Sequence, residues 1–191
     1  MAYLLDRLKQ SLAKEGLSPR TASARKWLQA KVGDLRPTAA ALMRDRERLK
    51  DKSFIGKMYF FFYDPKLKDS LPYYDRFPLV IPIERYSDGF LGLNLHYIHP
   101  KQRILLLDKL SDTLSNSRFN EKTKFRVNYE YLVAASTAFE AMPCIKRYLY
   151  GHITSRFLEI PADEWDIAAL LPVQQFTTSE SKVYADSRKK F

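Results

Sequence analysis

The chain has 191 residues, 46% hydrophobic and 14% aromatic, which excludes a disordered protein and supplies one sizeable core. Its single cysteine, Cys144, excludes an intramolecular disulfide and fits synthesis in a reducing cytoplasm, and no apolar run reaches the roughly 20 residues needed to span a bilayer. The formal charge of +10 sits at the two ends: residues 1–57 carry net +8, the last ten net +3, and the stretch between is near −1.

Leu4, Leu5, Leu8 and Leu12 recur at helical spacing, so residues 2–15 read as an amphipathic helix stopped by Gly16. Charges recur every few residues here, so no signal-peptide core is expected. Ser18-Pro19 opens a second helix with Trp27 and Leu28 as apolar contacts, ending at Gly33. Thr38 leads into a third, AAALMRDRERLKD, with Leu42 and Met43 inside and Arg44, Arg46, Arg48 and Lys50 outside. Residues 1–52 therefore read as a helical basic arm, 53–176 as the core domain and 177–191 as a basic tail.

The aromatic block over 57–100 carries three β-like runs. MYFFFYD (58–64) is a strand by residue type, and since three successive Phe cannot all face solvent, both of its sides must be covered. LVIPIERY (79–86) is a second strand whose Pro82 demands an edge position or a bulge. Ser87-Asp88-Gly89 is a hairpin turn, and FLGLNLHYI (90–98) alternates Phe90, Gly92, Asn94 and His96 with Leu91, Leu93, Leu95 and Tyr97. Helices are expected over 101–114, 129–142 and 143–153, with a polar loop over 115–124, a fourth strand over 155–160 and a helix start at 161–165.

The chemistry that this pattern suggests is weak. His96 and His99 lack Cys partners or an H-E-x-x-H pattern, so packing or hydrogen bonding accounts for them better than a metal does. Asp64, Asp69, Asp75, Glu84 and Asp88 lie along the aromatic block, but the common nuclease spacing, an Asp and then acid-x-Lys on the adjacent strand, is absent, because Glu84 is followed by Arg85-Tyr86. No phosphate-cradling glycine loop is present. Tyr73-Tyr74-Asp75-Arg76-Phe77 interleaves rings with charge, as single-strand binders do, although such rings more often fill a core. Cys144 reads as a structural thiol. Basic ends flanking a neutral middle suit a polyanion partner, solubility or an acidic protein surface.

The strings KMYFFFYDPK, LPYYDRFPLVIPIE, GFLGLNLHYIHPKQR, EWDIAALLPVQQF and KVYADSRKK resemble a family of small virion proteins of T4-like tailed bacteriophages, described as DNA end protectors or head-completion proteins. The resemblance spans roughly residues 57–191 and brings no catalytic residue set. It implies a late structural protein near the portal, neck or tail, made in the host cytoplasm and carried in the virion. Its implied partners are other virion subunits in a symmetric assembly, and the end of packaged double-stranded DNA.

The expectation is thus an α+β fold: a small antiparallel sheet or SH3-like barrel surrounded by helices. The expected function is a non-enzymatic virion protein, with no cofactor, metal or membrane partner. Polyanion contacts are assigned to Arg44, Arg46, Arg48, Lys50, Lys52, Arg188, Lys189 and Lys190, and subunit contacts to Leu4, Leu5, Leu8, Leu12 and Trp27. The alternatives are a purely architectural tail or baseplate component, or a nuclease relying on Asp75 and Glu84.

Overall fold

The computed structural model describes residues 3–115 and 144–188; the helix expected over 129–142, and the polar loop beyond Ser115, lie outside them. The fold is α+β. Six antiparallel strands, β1 (Leu49–Lys50), β2 (Met58–Phe60), β3 (Leu79–Arg85), β4 (Gly89–Asn94), β5 (Ile145–Leu149) and β6 (Phe157–Ile160), pair in the order β1-β6-β2-β3-β4-β5. β1 and β5 lie at opposite ends of this ladder, so the sheet is open and not the SH3-like barrel that the strand pattern also allowed.

Pleating sorts the aromatic block onto two faces. Met58, Phe60, Ile81, Leu93 and Leu158 join the larger core, whereas Tyr59, Phe61, Val80, Phe90, Tyr148 and Phe157 form a second, mostly aromatic cluster. Phe61 is fully buried there, edge-on to Tyr63, Phe90, Tyr148 and Phe157 at 5.2–6.4 Å between ring centroids. Both sides of the Phe run are thus covered, as its lack of alternation required.

Pro82 sits in an inner strand at a β-bulge: register shifts between Pro82 and Glu84, and the Pro82 carbonyl accepts from Gly56 N–H at 2.9 Å. The β3–β4 hairpin turns where Asp88-Gly89 directs, with Tyr86 N–H donating to the Gly89 carbonyl at 2.8 Å. Gly89 is required by close approach, because a Cβ there would lie 2.0 Å from the Tyr148 carbonyl oxygen.

Two expected helices are corrected. In place of the helix expected over 143–153, Ile145–Leu149 form β5 and Tyr150–His152 a single 3-10 turn, because IKRYL can bury Tyr148 against Phe90 while completing the free edge of β4. The third helix, α3, covers only Ala39–Leu42; the next turn, Arg44 to Arg48, has no apolar residue to bury, and the chain turns and enters β1. Arg44, Arg46, Arg48 and Lys50 are consequently not the outer face of a helix.

Helices α1 (Leu4–Lys14), α2 (Ala22–Leu35), α4 (Pro100–Ser115) and α5 (Trp165–Leu170) cover one face of the sheet, with α6 (Glu180–Arg188) closing the chain. The WDIAAL sequence is apolar on nearly every side, and all six residues of α5 are buried, with α1, α2 and α4 packed around it. Leu5, Leu8 and Leu12 of α1 fill the same core as the sheet, while Leu4 and Trp27 are partly buried against it. The leucine stripe assigned to a neighbouring subunit is therefore satisfied inside the chain. The C-terminal segment is likewise docked: Val183 and Tyr184 of α6 are buried, and Ser187 Oγ donates to the Tyr97 carbonyl at 2.9 Å.

α2 is capped by Thr21, whose Oγ1 accepts from Ala24 N–H at 3.2 Å, three residues beyond the Ser18 expected from the Ser-Pro signal. It runs past Gly33 and ends at Arg36, in the left-handed conformation with φ 44° and ψ 61°.

Candidate nucleic-acid interface

The basic residues of the N-terminal half divide into two populations. The first is internal. Arg48 is held by Asp6 at 2.5 Å, by Asp45 at 2.8 Å and by Glu164 through two contacts, one of 3.2 Å. Despite burial, these carboxylates keep the guanidinium pKa above its usual value. Asp45 is only 3% exposed, and burial raises its pKa more than the charge and backbone N–H of Arg48 lower it. Arg25 bridges Asp166 of α5 at 2.8 Å and Asp108 of α4, and Lys9 reaches Asp163 at 2.5 Å. These cations clamp the helices onto the buried α5 segment.

The second population faces water. Arg7, Arg36, Arg44, Arg46, Lys50 and Lys52 are exposed, and none has a carboxylate partner among the described residues. Arg7, Arg36 and Arg44 line one cleft of about 340 Å³ between α1 and the loop around α3. Lys52 lines another of about 560 Å³, together with Arg85, Tyr86 and Tyr150. The segment 44–52 links the two clefts and carries Arg46 and Lys50 on the way. Lys50 Nζ also touches the Glu47 carbonyl at 3.4 Å.

Of the residues expected to contact a polyanion, Arg44, Arg46, Lys50 and Lys52 thus share this surface, and Arg48 is removed from it by its three carboxylates. Arg188 ends α6, and Lys189 and Lys190 lie outside the described residues. Sequence reading missed Arg7 and Arg36. The expected helix end at Gly33 hid Arg36, whose place beside Arg44 in the cleft lining follows only from packing.

The aromatic stretch over 73–77 is mainly scaffold. Phe77 stacks on Phe60 at 5.1 Å with rings 3° from parallel, and Tyr73 and Asp75 are buried. Asp75 Oδ2 meets His96 Nδ1 at 2.6 Å inside the protein. The other acids of the block disperse: Asp64 pairs with Lys68, Glu84 accepts from the Tyr86 hydroxyl and Asp88 pairs with Arg147. Among the described residues no three His, Cys, Asp or Glu side chains are placed to hold a metal ion; Asp75 is buried against His96, whereas Glu84 is exposed on β3. Arg103, 2% exposed, donates to the carbonyls of Ile98, Ala169 and His96 and to the Tyr184 hydroxyl, tying α4 to α5 and α6. Cys144 is buried, and burial pushes its thiol pKa up to about 11.

Fold and surface together define a basic α+β protein with an acid-clamped interior and an outer row of unneutralised cations. The chain belongs to the family of the phage T4 terminal DNA-protecting protein, whose family model matches residues 4–190. No curated protein and no solved structure matches it.

Proposed function

We propose that this protein binds the ends of linear double-stranded DNA through backbone phosphates and shields them from exonucleases, without catalysing a reaction. The observation that carries this reading is the separation of its cations: exposed Lys and Arg side chains with no acid partner among the described residues lie along α1, the α2–α3 connection and segment 44–52. Such charges bind phosphate without reading base sequence, which suits a protein that must accept any terminal sequence. The family's description as DNA-protecting supplies the direction, and we extend it to a place in the virion near the head–tail junction, beside portal, neck or tail subunits.

The test is a protection assay. Linear and covalently closed duplexes of equal length are mixed with the protein and challenged with a processive double-strand exonuclease over a salt series. Protection of the linear duplex at stoichiometric protein, lost steeply as salt rises, is the expected result. A protein that leaves linear DNA digestible at low salt, or shows no affinity for it, would be architectural instead. Detection of the chain in purified particles, with crosslinks from segment 44–52 to DNA, tests the location.

A further inference from the structure

We infer that the cleft formed by Arg7, Arg36 and Arg44 is a seat for the 5′-terminal phosphate of a DNA end. This rests on the end-binding reading above and names the group that would anchor it. Three observations converge on this cleft.

The first is charge. Three arginines and no acidic residue line the cleft, and the rest of its wall is largely apolar, from Leu4, Leu35, Pro37 and Ala41. Asp6 neighbours Arg7 in sequence but is committed to Arg48, 2.5 Å away. The chain therefore keeps its acids on one side of α1 and leaves this side positive.

The second is backbone. Arg36 occupies the left-handed region at the end of α2, with its N–H donating to the Val32 carbonyl at 3.2 Å. That position favours glycine or asparagine, and the following Pro37 further biases its predecessor toward extended backbone. An arginine is disfavoured at this turn, and Arg36 lines the cleft together with Arg44. Pro37 fixes its own φ and so stiffens the turn that carries Arg36.

The third is chemical fit. A terminal phosphate monoester carries about −1.5 to −2 charges and three free oxygens, whereas an internal phosphodiester carries one charge and two. Three arginines, each able to donate two parallel N–H bonds, match the monoester better. A cleft of about 340 Å³ also has room for the terminal sugar behind the phosphate. The row through Arg46, Lys50 and Lys52 then tracks the internal phosphates leading away from the end.

The experiment uses the full chain and duplexes closed by a hairpin at one end, carrying either a 5′-phosphate or a 5′-hydroxyl at the other, compared by fluorescence anisotropy at one salt concentration. Unaltered protein is expected to bind the phosphorylated end about tenfold more tightly, and Arg36→Asn or Arg44→Gln to reduce that preference to about twofold or less. Asn suits the left-handed turn, so Arg36→Asn is expected to keep the melting temperature; the 5′-hydroxyl duplex serves as each variant's own reference. Inorganic phosphate is expected to compete with the phosphorylated end in unaltered protein. Equal affinity for both ends overturns the seat while leaving end binding intact. A preference that survives in both variants moves the seat elsewhere and overturns this assignment. No binding to either duplex removes the end-binding reading and this inference with it.

Discussion

His96 and Asp75 meet at 2.6 Å with both side chains fully buried, and the pair fastens three distant parts of the chain together. Asp75 Oδ1 also accepts from Phe77 N–H and Gln175 N–H, each at 3.0 Å, so the carboxylate joins the loop after β2, the end of β4 and the segment before α6. Burial lowers the His96 pKa more than Asp75 raises it, which leaves a neutral ring donating from Nδ1. Burial would raise Asp75, but His96 and the two backbone N–H groups outweigh it and hold its pKa below the usual value. His96 Nε2 finds no hydrogen-bond partner among the described residues.

This pair predicts acid sensitivity. A histidine with a depressed folded pKa contributes stability above its ordinary value near 6.5, and that contribution is lost as pH falls below it. Asp75 adds a second loss lower down, as pH drops past the usual carboxylate value of 3.8 toward its folded one. Thermal melts should therefore show falling Tm from pH 7 to 5, and His96→Gln should flatten that slope. A slope unchanged in His96→Gln would assign the acid sensitivity to other groups. Asp75→Asn should cost about 2 kcal/mol at pH 7, the magnitude for losing a buried hydrogen bond to a charged group.

Arg48 and Arg46 should behave oppositely although they stand two residues apart. Arg48→Met removes the cation facing Asp45 and Glu164, which are 3% and 2% exposed, and should destabilise by about 3 kcal/mol in urea unfolding. Arg46→Ala should stay within about 0.5 kcal/mol, as for an exposed side chain without a partner. Equal stability of the two variants would mean that the buried carboxylates are not held by Arg48.

On DNA the order reverses. Arg46→Ala and Lys50→Ala should each weaken binding to all sequences alike and reduce the slope of log K against log salt by about 1. An unchanged slope would place the phosphate contacts elsewhere.

Gly89→Ala should be severe, because its Cβ would meet the backbone carbonyl of Tyr148 at 2.0 Å and the β4–β5 ladder would have to open. A loss of about 2–3 kcal/mol is expected in chemical denaturation, the upper range for a single substitution of this kind. At Gly92 a Cβ would meet side chains and not backbone, Val80 at 2.4 Å, Phe90 at 3.3 Å and Tyr148 at 3.4 Å, so Gly92→Ala should cost less.

Cys144 should resist thiol reagents in the folded protein and react fully in denaturant, since burial both hides it and raises its pKa to about 11. Rapid reaction without denaturant would show the start of β5 to be open.

Much of the fold was readable because its signals are local. The Asp88-Gly89 turn, the bulge demanded by Pro82, the leucine stripe of α1 and the two-sided burial of MYFFFY each follow from neighbours within a few residues. β5 was misread as a helix because IKRYL has no decisive period, and the free edge of β4 decided it. Likewise α3 stops early because segment 44–52 gains more from Arg48's carboxylates and the β1–β6 pairing than from continuing as a helix.

The candidate interface was readable in outline only. The sequence by itself determined an aromatic scaffold, an excess of positive charge at the two ends and no nuclease spacing among its acids. Tertiary structure alone decided which of those charges remain available. Arg48 is neutralised by Glu164, 116 positions away, while Arg7, Arg36 and Arg44 come from three separate stretches to share one cleft. The physical reason is that a charge's fate depends on the acids and the solvent around it in space, and neither is written in the residues beside it along the chain.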